Sequence, residues 1–126
     1  MNKKKYIIKL GSDIIGYTLF ESHDASMGVV IGRIIFQIDE KPFEFLKSLS
    51  NNEDVTMNEI DHNSQFISAS FENITIKSEL GTVIKGIGIS IIGMEEEYDL
   101  EVIGIPYPFY EEEFPHHREA YDKQFS

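Results

Sequence analysis

Apolar and polar residues alternate along much of this chain with a period of two, the spacing of a β-strand that buries one face. The alternation is cleanest over residues 64–72, where Ile67, Ala69 and Phe71 interleave with Ser68, Ser70 and Glu72. It resumes over 74–77 beyond Asn73, which marks either a bulge or a bend in one strand. Residues 5–10 and 14–20 are short apolar runs on either side of Gly11-Ser12-Asp13, residues that tolerate tight-turn dihedrals, and they read as a hairpin. Over 29–38 both faces are largely apolar: Val29, Ile31, Arg33 and Ile35 on one, and Val30, Gly32, Ile34, Phe36 and Ile38 on the other. That pattern predicts a central strand covered on both sides. Residues 83–92 and 98–105 bring the set to six or seven strands at hairpin spacing. The expected class is α+β and mainly antiparallel β, a curled sheet, sandwich or open barrel. One short mid-chain helix and a C-terminal amphipathic helix join it in a single domain spanning 1–126.

The mid-chain helix is predicted over 41–49, with Asp39 as N-cap, Pro42 in the first turn and Phe45, Leu46 and Leu49 on the apolar face. Residues 50–63 that follow are polar and read as a loop. The second helix is predicted over 110–125. At 100° per residue, Tyr110, Phe114, His117, Tyr121 and Phe125 fall within about 80° of one another as an aromatic stripe, while Glu112, Glu119 and Asp122 point away. Pro115 removes one helix hydrogen bond, so a break or kink is expected near Phe114. In 83–92 a row of small residues, Gly86, Gly88 and Ser90, leaves a trough in the sheet. Glycines so placed mark a close approach, here expected to be aromatic side chains from the helix.

Composition sharpens this picture in two respects. A chain of 126 residues with 41% hydrophobic residues and nineteen isoleucines can build one buried core. With no cysteine, it has neither disulfides nor thiolate chemistry. Lys3, Lys4 and Lys5 precede Tyr6, Ile7 and Ile8, but Lys9 and Gly11 end that run too early for a secretory signal. No apolar stretch reaches membrane length, so a cytoplasmic location without membrane contact is expected. The usage of Ile, Lys and Asn points to a bacterium with an AT-rich genome.

Charge is unevenly distributed. Of the net −11, residues 95–126 carry −8, ten acids standing against Arg118 and Lys123. The densest run of candidate chemistry, Glu111-Glu112-Glu113-Phe114-Pro115-His116-His117, combines carboxylates with imidazoles. Adjacent histidines on a helix diverge by 100°, and His116 with Glu112 supplies two ligands where a metal site needs three or four. Neither a metal nor another cofactor is expected. His23-Asp24 and Asp61-His62 lie in predicted loops and define no catalytic pair, and Gly86-Ile87-Gly88 lacks the third glycine of a dinucleotide fingerprint. No catalytic residue emerges, and an enzyme is the less favoured class.

Two functional classes follow. The first is a protein-binding module that presents Glu111, Glu112, Glu113, Glu119 and Tyr107 to a basic protein, as a neutralising, immunity-type partner of a cationic toxin does. The second is a small-ligand binder or enzyme with its site at the trough of Gly86, Gly88 and Ser90 or under the loop that carries Met27. A domain whose charge serves only solubility is the bland alternative. Nucleic acid is disfavoured, because the acidic end repels phosphates and the bases form no stripe beyond residues 3–5. The pattern leaves monomer and homodimer equally open.

Overall fold

Gly11, at φ 62°, turns the chain between β1 (Tyr6–Leu10) and β2 (Asp13–Thr18), which is the hairpin expected there. Next come β3 (Ser22–Asp24), β4 (Val29–Arg33), β5 (Ile35–Phe36) and α1 (Pro42–Ser48), the last running into a 3-10 turn at Leu49–Asn51. The chain continues through β6 (Val55–Asp61), β7 (Phe66–Phe71), β8 (Ile74–Ser78), β9 (Gly88–Met94), β10 (Glu97–Ile103) and α2 (Phe109–Glu113). The computed structural model describes residues 4–24, 28–106 and 109–114. Every strand pairing among them is antiparallel. Four strands form one sheet in the order β5-β2-β1-β8, and six form the other in the order β3-β4-β10-β9-β7-β6.

The chain passes from one sheet to the other five times, twice over the longer connections β5–β6 (through α1) and β8–β9 and three times at short bends. The first, between β2 and β3, contains Phe20 at φ 48°. At the second, between β4 and β5, the Ile34 N–H donates to the Tyr98 carbonyl at 2.9 Å. The third lies at Glu72 and Asn73, so β7 and β8 are a single bent run divided between the sheets. One core joins the two inner faces. Ile8 and Ile76 come from the four-stranded sheet, and Val30, Ile67, Ile91, Leu100 and Val102 from the six-stranded one. Leu46 of α1 and Phe114, next to α2, extend it. Each such side chain contributes about 1.5–3 kcal/mol of burial.

Several expectations are corrected. Residues 29–38 are two strands in different sheets, and only the face with Val30, Gly32 and Ile34 is buried, since Arg33 and Ile35 are exposed. Residues 55–61, read as loop, are strand β6. A bulge at Asn58, between the pairs Met57–Ala69 and Glu59–Ser68, breaks the alternation that would have revealed it. The strand expected from Val83 begins only at Gly88, with Val83 making an isolated bridge to Lys77. The N-cap of α1 is Lys41 rather than Asp39, with Pro42 in the first turn as expected. Of the C-terminal helix, Phe109–Glu113 is helical, and the remainder of the expected span, 115–125, lies outside the described residues.

Candidate functional site

Strand β10 sorts its residues by face. Tyr98, Leu100 and Val102 are fully buried, so Glu97, Asp99, Glu101 and Ile103 stand on the outer side of the six-stranded sheet. Register carries that face across the neighbouring strands. Asp99 sits between Arg33 and Ile92, Glu101 between Ile31 and Ser90, and Glu97 beside Met94. Beyond them Ile92 meets Ser68, Ser90 meets Ser70, and Met94 meets Phe66. On β6 the face ends in Thr56, Glu59 and Asp61. Strands β9 and β7 therefore carry hydroxyl and apolar residues between the carboxylates of interior β10 and those of edge strand β6. Ile92, Met94 and Ile103 are 41%, 48% and 41% exposed, high values for aliphatic side chains on a sheet.

On this face Arg33 shares the surface with the carboxylates of Glu97, Asp99, Glu101, Glu59 and Asp61, and its backbone N–H donates to Glu21 Oε1. Its Nε donates to Asp99 Oδ1 at 2.7 Å, and a guanidinium nitrogen lies 3.7 Å from Glu97. The bond to Asp99 raises the guanidinium above its usual value. Exposed pairs of this kind contribute about 0–1 kcal/mol to folding, so the consequence of these charges is their field outside the protein. The hydroxyl row is internally bonded: Asn58 Nδ2 donates to Ser70 Oγ at 3.0 Å, and the Ser70 and Ser90 hydroxyls are 3.4 Å apart.

The acidic C-terminal end is arranged differently from a uniformly outward display. Glu113 Oε2 accepts hydrogen bonds from Lys4 Nζ at 2.9 Å and from the Tyr6 hydroxyl at 2.8 Å, and its side chain is 9% exposed. Burial, and then the Glu113 carboxylate, push the Tyr6 phenol far above its ordinary value. Glu112 is exposed. The side chain of Glu111, and Tyr107, His116, Glu119 and Met27 altogether, lie outside the described residues. Tyr110 and Phe114, the two described members of the aromatic stripe, are buried at 3% and 1%. They pack as a ring cluster in which Phe114 lies 5.7 Å from Tyr6 and 5.9 Å from Phe20.

The trough is filled by β10 and not by those aromatics. A Cβ on Gly86 would lie 2.5 Å from the Ile103 carbonyl oxygen, and one on Gly88 would meet the Ile103 side chain at 3.2 Å. Ser90 sits apart from them in the hydroxyl row. Gly86 and Gly88 do line an open groove of about 510 Å³ with Phe71, Ile74, Ile84 and Lys85. Among the described residues, no three His, Asp or Glu side chains gather as metal ligands.

One acidic row of this face was legible in advance, because Glu97, Asp99 and Glu101 recur at a period of two in a strand whose other face is apolar. The other was not, since the bulge at Asn58 conceals Glu59 and Asp61. In comparisons with known proteins, the chain matches no family model, no curated protein and no solved structure.

Proposed function

We propose that this chain is a protein-binding module whose acidic surface meets a basic protein, in the manner of a neutralising partner of a cationic toxin, and that it works in the cytoplasm. The observation that carries the reading is the outer face of the six-stranded sheet. Apolar Ile92 and Met94 on β9 are exposed between the carboxylates of β10 and β6, and exposed Ile103 ends β10 beside them. Exposed apolar side chains set among charges of one sign suit a protein interface, and complementary charge accelerates and orients encounter. The exposed Glu112 extends the same sign of charge, as do Glu111 and Glu119 in the sequence. No described helix is long and apolar enough to cross a membrane.

The test is association kinetics with the products of the genes flanking its own, measured at low and at physiological salt. Asp99→Asn with Glu101→Gln should slow association and flatten its salt dependence, leaving dissociation nearly unchanged. Glu111→Gln with Glu112→Gln, compared in parallel, separates the sheet face from the C-terminal end. Unchanged association rates in both variants would refute the charge-steered reading.

The groove beside Gly86 and Gly88 supports a second reading, a small-ligand binder, because Phe71, Ile74 and Ile84 give it an apolar floor. A small-molecule screen by thermal shift that finds binders lost in Ile84→Ser would favour that reading over the first.

A further inference from the structure

The outer face of the four-stranded sheet has the opposite chemistry. Register places Ile7 between Tyr17 and Lys77, and Lys9 between Ile14 and Thr75. Lys5 adds a third cation on this side, its ammonium 4.7 Å from the centre of the Tyr17 ring. A bulge in β2 shapes the face further. Ile8 pairs with Gly16 and Lys9 with Ile14, so Ile15 is the extra residue. Ile15 turns into the core at 2% exposure, and Ile14 is left 51% exposed beside Lys9. The result is a groove of about 480 Å³ whose walls include Ile7, Lys9, Ile14, Thr75 and Lys77, with Glu79 as the carboxylate among its lining residues.

Two features of this groove point to a ligand. Lys9 and Lys77 occupy diagonal positions on paired strands, where like charges oppose each other, and neither forms an ion pair among the described residues. This happens in a chain with 22 acids to 11 bases, where carboxylates are plentiful. Between these lysines lie half-buried Ile7 and the Thr75 hydroxyl, and exposed Ile14 flanks Lys9 on β2, so no carboxylate separates the two cations. We propose that the groove binds an anionic amphiphile, a small molecule whose apolar body covers Ile7 and Ile14 and whose anionic head is held by Lys9 and Lys77.

Size and charge both favour a small molecule over an acidic protein. The groove has the volume of an ordinary small-ligand site. Ionic screening acts over about 8 Å at physiological salt, so a small anion in the groove feels mainly the nearby lysines. An acidic macromolecule would extend over far more of a surface whose net charge is −11 and would be repelled by it.

The probe is decanoate, titrated into the ¹⁵N-labelled full chain and followed by amide chemical shifts. Saturable shifts are expected at Ile7, Lys9, Ile14, Thr75 and Lys77. Lys9→Gln with Lys77→Gln should weaken binding at least tenfold, Ile14→Ser should weaken it comparably, and Lys9→Arg with Lys77→Arg should retain it. All three positions are exposed, and an unchanged spectrum elsewhere confirms that the variants fold. Octyl glucoside, which lacks the charge, and inorganic phosphate, which lacks the apolar body, should each bind far more weakly. The proposal is overturned if decanoate causes no saturable shifts, or if they centre on Gly86 and Gly88. Equal binding by the double glutamine variant, or by either control compound, also overturns it. Shifts of this face by a ten-residue glutamate peptide with decanoate silent would assign the groove to an acidic protein segment.

Discussion

The Tyr6 hydroxyl donates to Glu113 at 2.8 Å across a separation of 107 residues, and Lys4 Nζ donates to the same carboxylate oxygen. This contact fastens α2 to β1. It also takes one glutamate of the acidic end out of solvent. Tyr6→Phe removes the donor and keeps the ring in its contacts with Phe20 and Phe114, so the change isolates the bond. A loss of about 1–3 kcal/mol is expected, measured as a lower urea midpoint at unchanged slope. A midpoint equal to that of the parent chain would show that the bond contributes nothing net.

Alkaline pH should destabilise the fold through its buried phenols. The Tyr98 hydroxyl donates to the Gln65 carbonyl at 2.7 Å, and burial followed by the Glu95 charge pushes its pKa up to about 12. The folded state therefore holds the proton more tightly than the unfolded chain, whose tyrosines titrate near about 10. The stabilisation is complete below that value and is lost as pH rises from there towards about 12. Tyr98→Phe should lower stability at neutral pH and flatten its decline over this window. Unfolding midpoints at a series of alkaline pH values for the two proteins give the comparison, and parallel curves would contradict it.

The two glycines of the trough should behave differently. At Gly86 a methyl group runs into the Ile103 carbonyl, which belongs to a paired strand and cannot move aside cheaply, so Gly86→Ala should cost about 1–3 kcal/mol. At Gly88 the nearest atoms belong to the Ile103 side chain, which is 41% exposed and can rotate outward. Gly88→Ala should be neutral within about 0.5 kcal/mol. Thermal unfolding of the pair tests the contrast, and equal shifts would show that β10 does not distinguish them.

Phe20 combines a positive φ of 48° with 1% exposure. A bulky residue is uncommon in that backbone region, so packing must hold it there, and the Tyr6 and Phe114 rings at 5.0 and 5.9 Å supply that packing. Phe20→Ala should cost about 3–5 kcal/mol in denaturant unfolding. Because the bend carries the chain from β2 to β3, amides of both strands should exchange faster in the variant than in the parent chain.

Strand alternation was readable wherever register stayed regular. Residues 66–71 bury Ile67, Ala69 and Phe71, as their spacing required, and β10 buries Tyr98, Leu100 and Val102. It failed at bulges and bends. The extra Asn58 hid β6, and residues 29–38 looked like one doubly covered strand because nothing local at Ile34 announces a change of sheet. A bend costs the chain few local signals, since the hydrogen bond that defines it, from Ile34 N–H to the Tyr98 carbonyl, joins residues far apart in sequence.

The sequence by itself determined an antiparallel β architecture with one short mid-chain helix, an isoleucine-rich core and an excess of acid over base. Those properties follow from local periodicity and composition. Tertiary structure decided where the charges point. Glu113, next to exposed Glu112 in sequence, turns in to Lys4 and Tyr6, whereas Glu97, Asp99 and Glu101 share an outer face with Glu59 and Asp61, across two intervening strands. It likewise gathered Lys9 and Lys77 across the pairing of β1 with β8. Long-range strand pairing brings such residues together, and the physical reason is that pairing partners are chosen by burial of the opposite face, which constrains the exposed side chains only through their position.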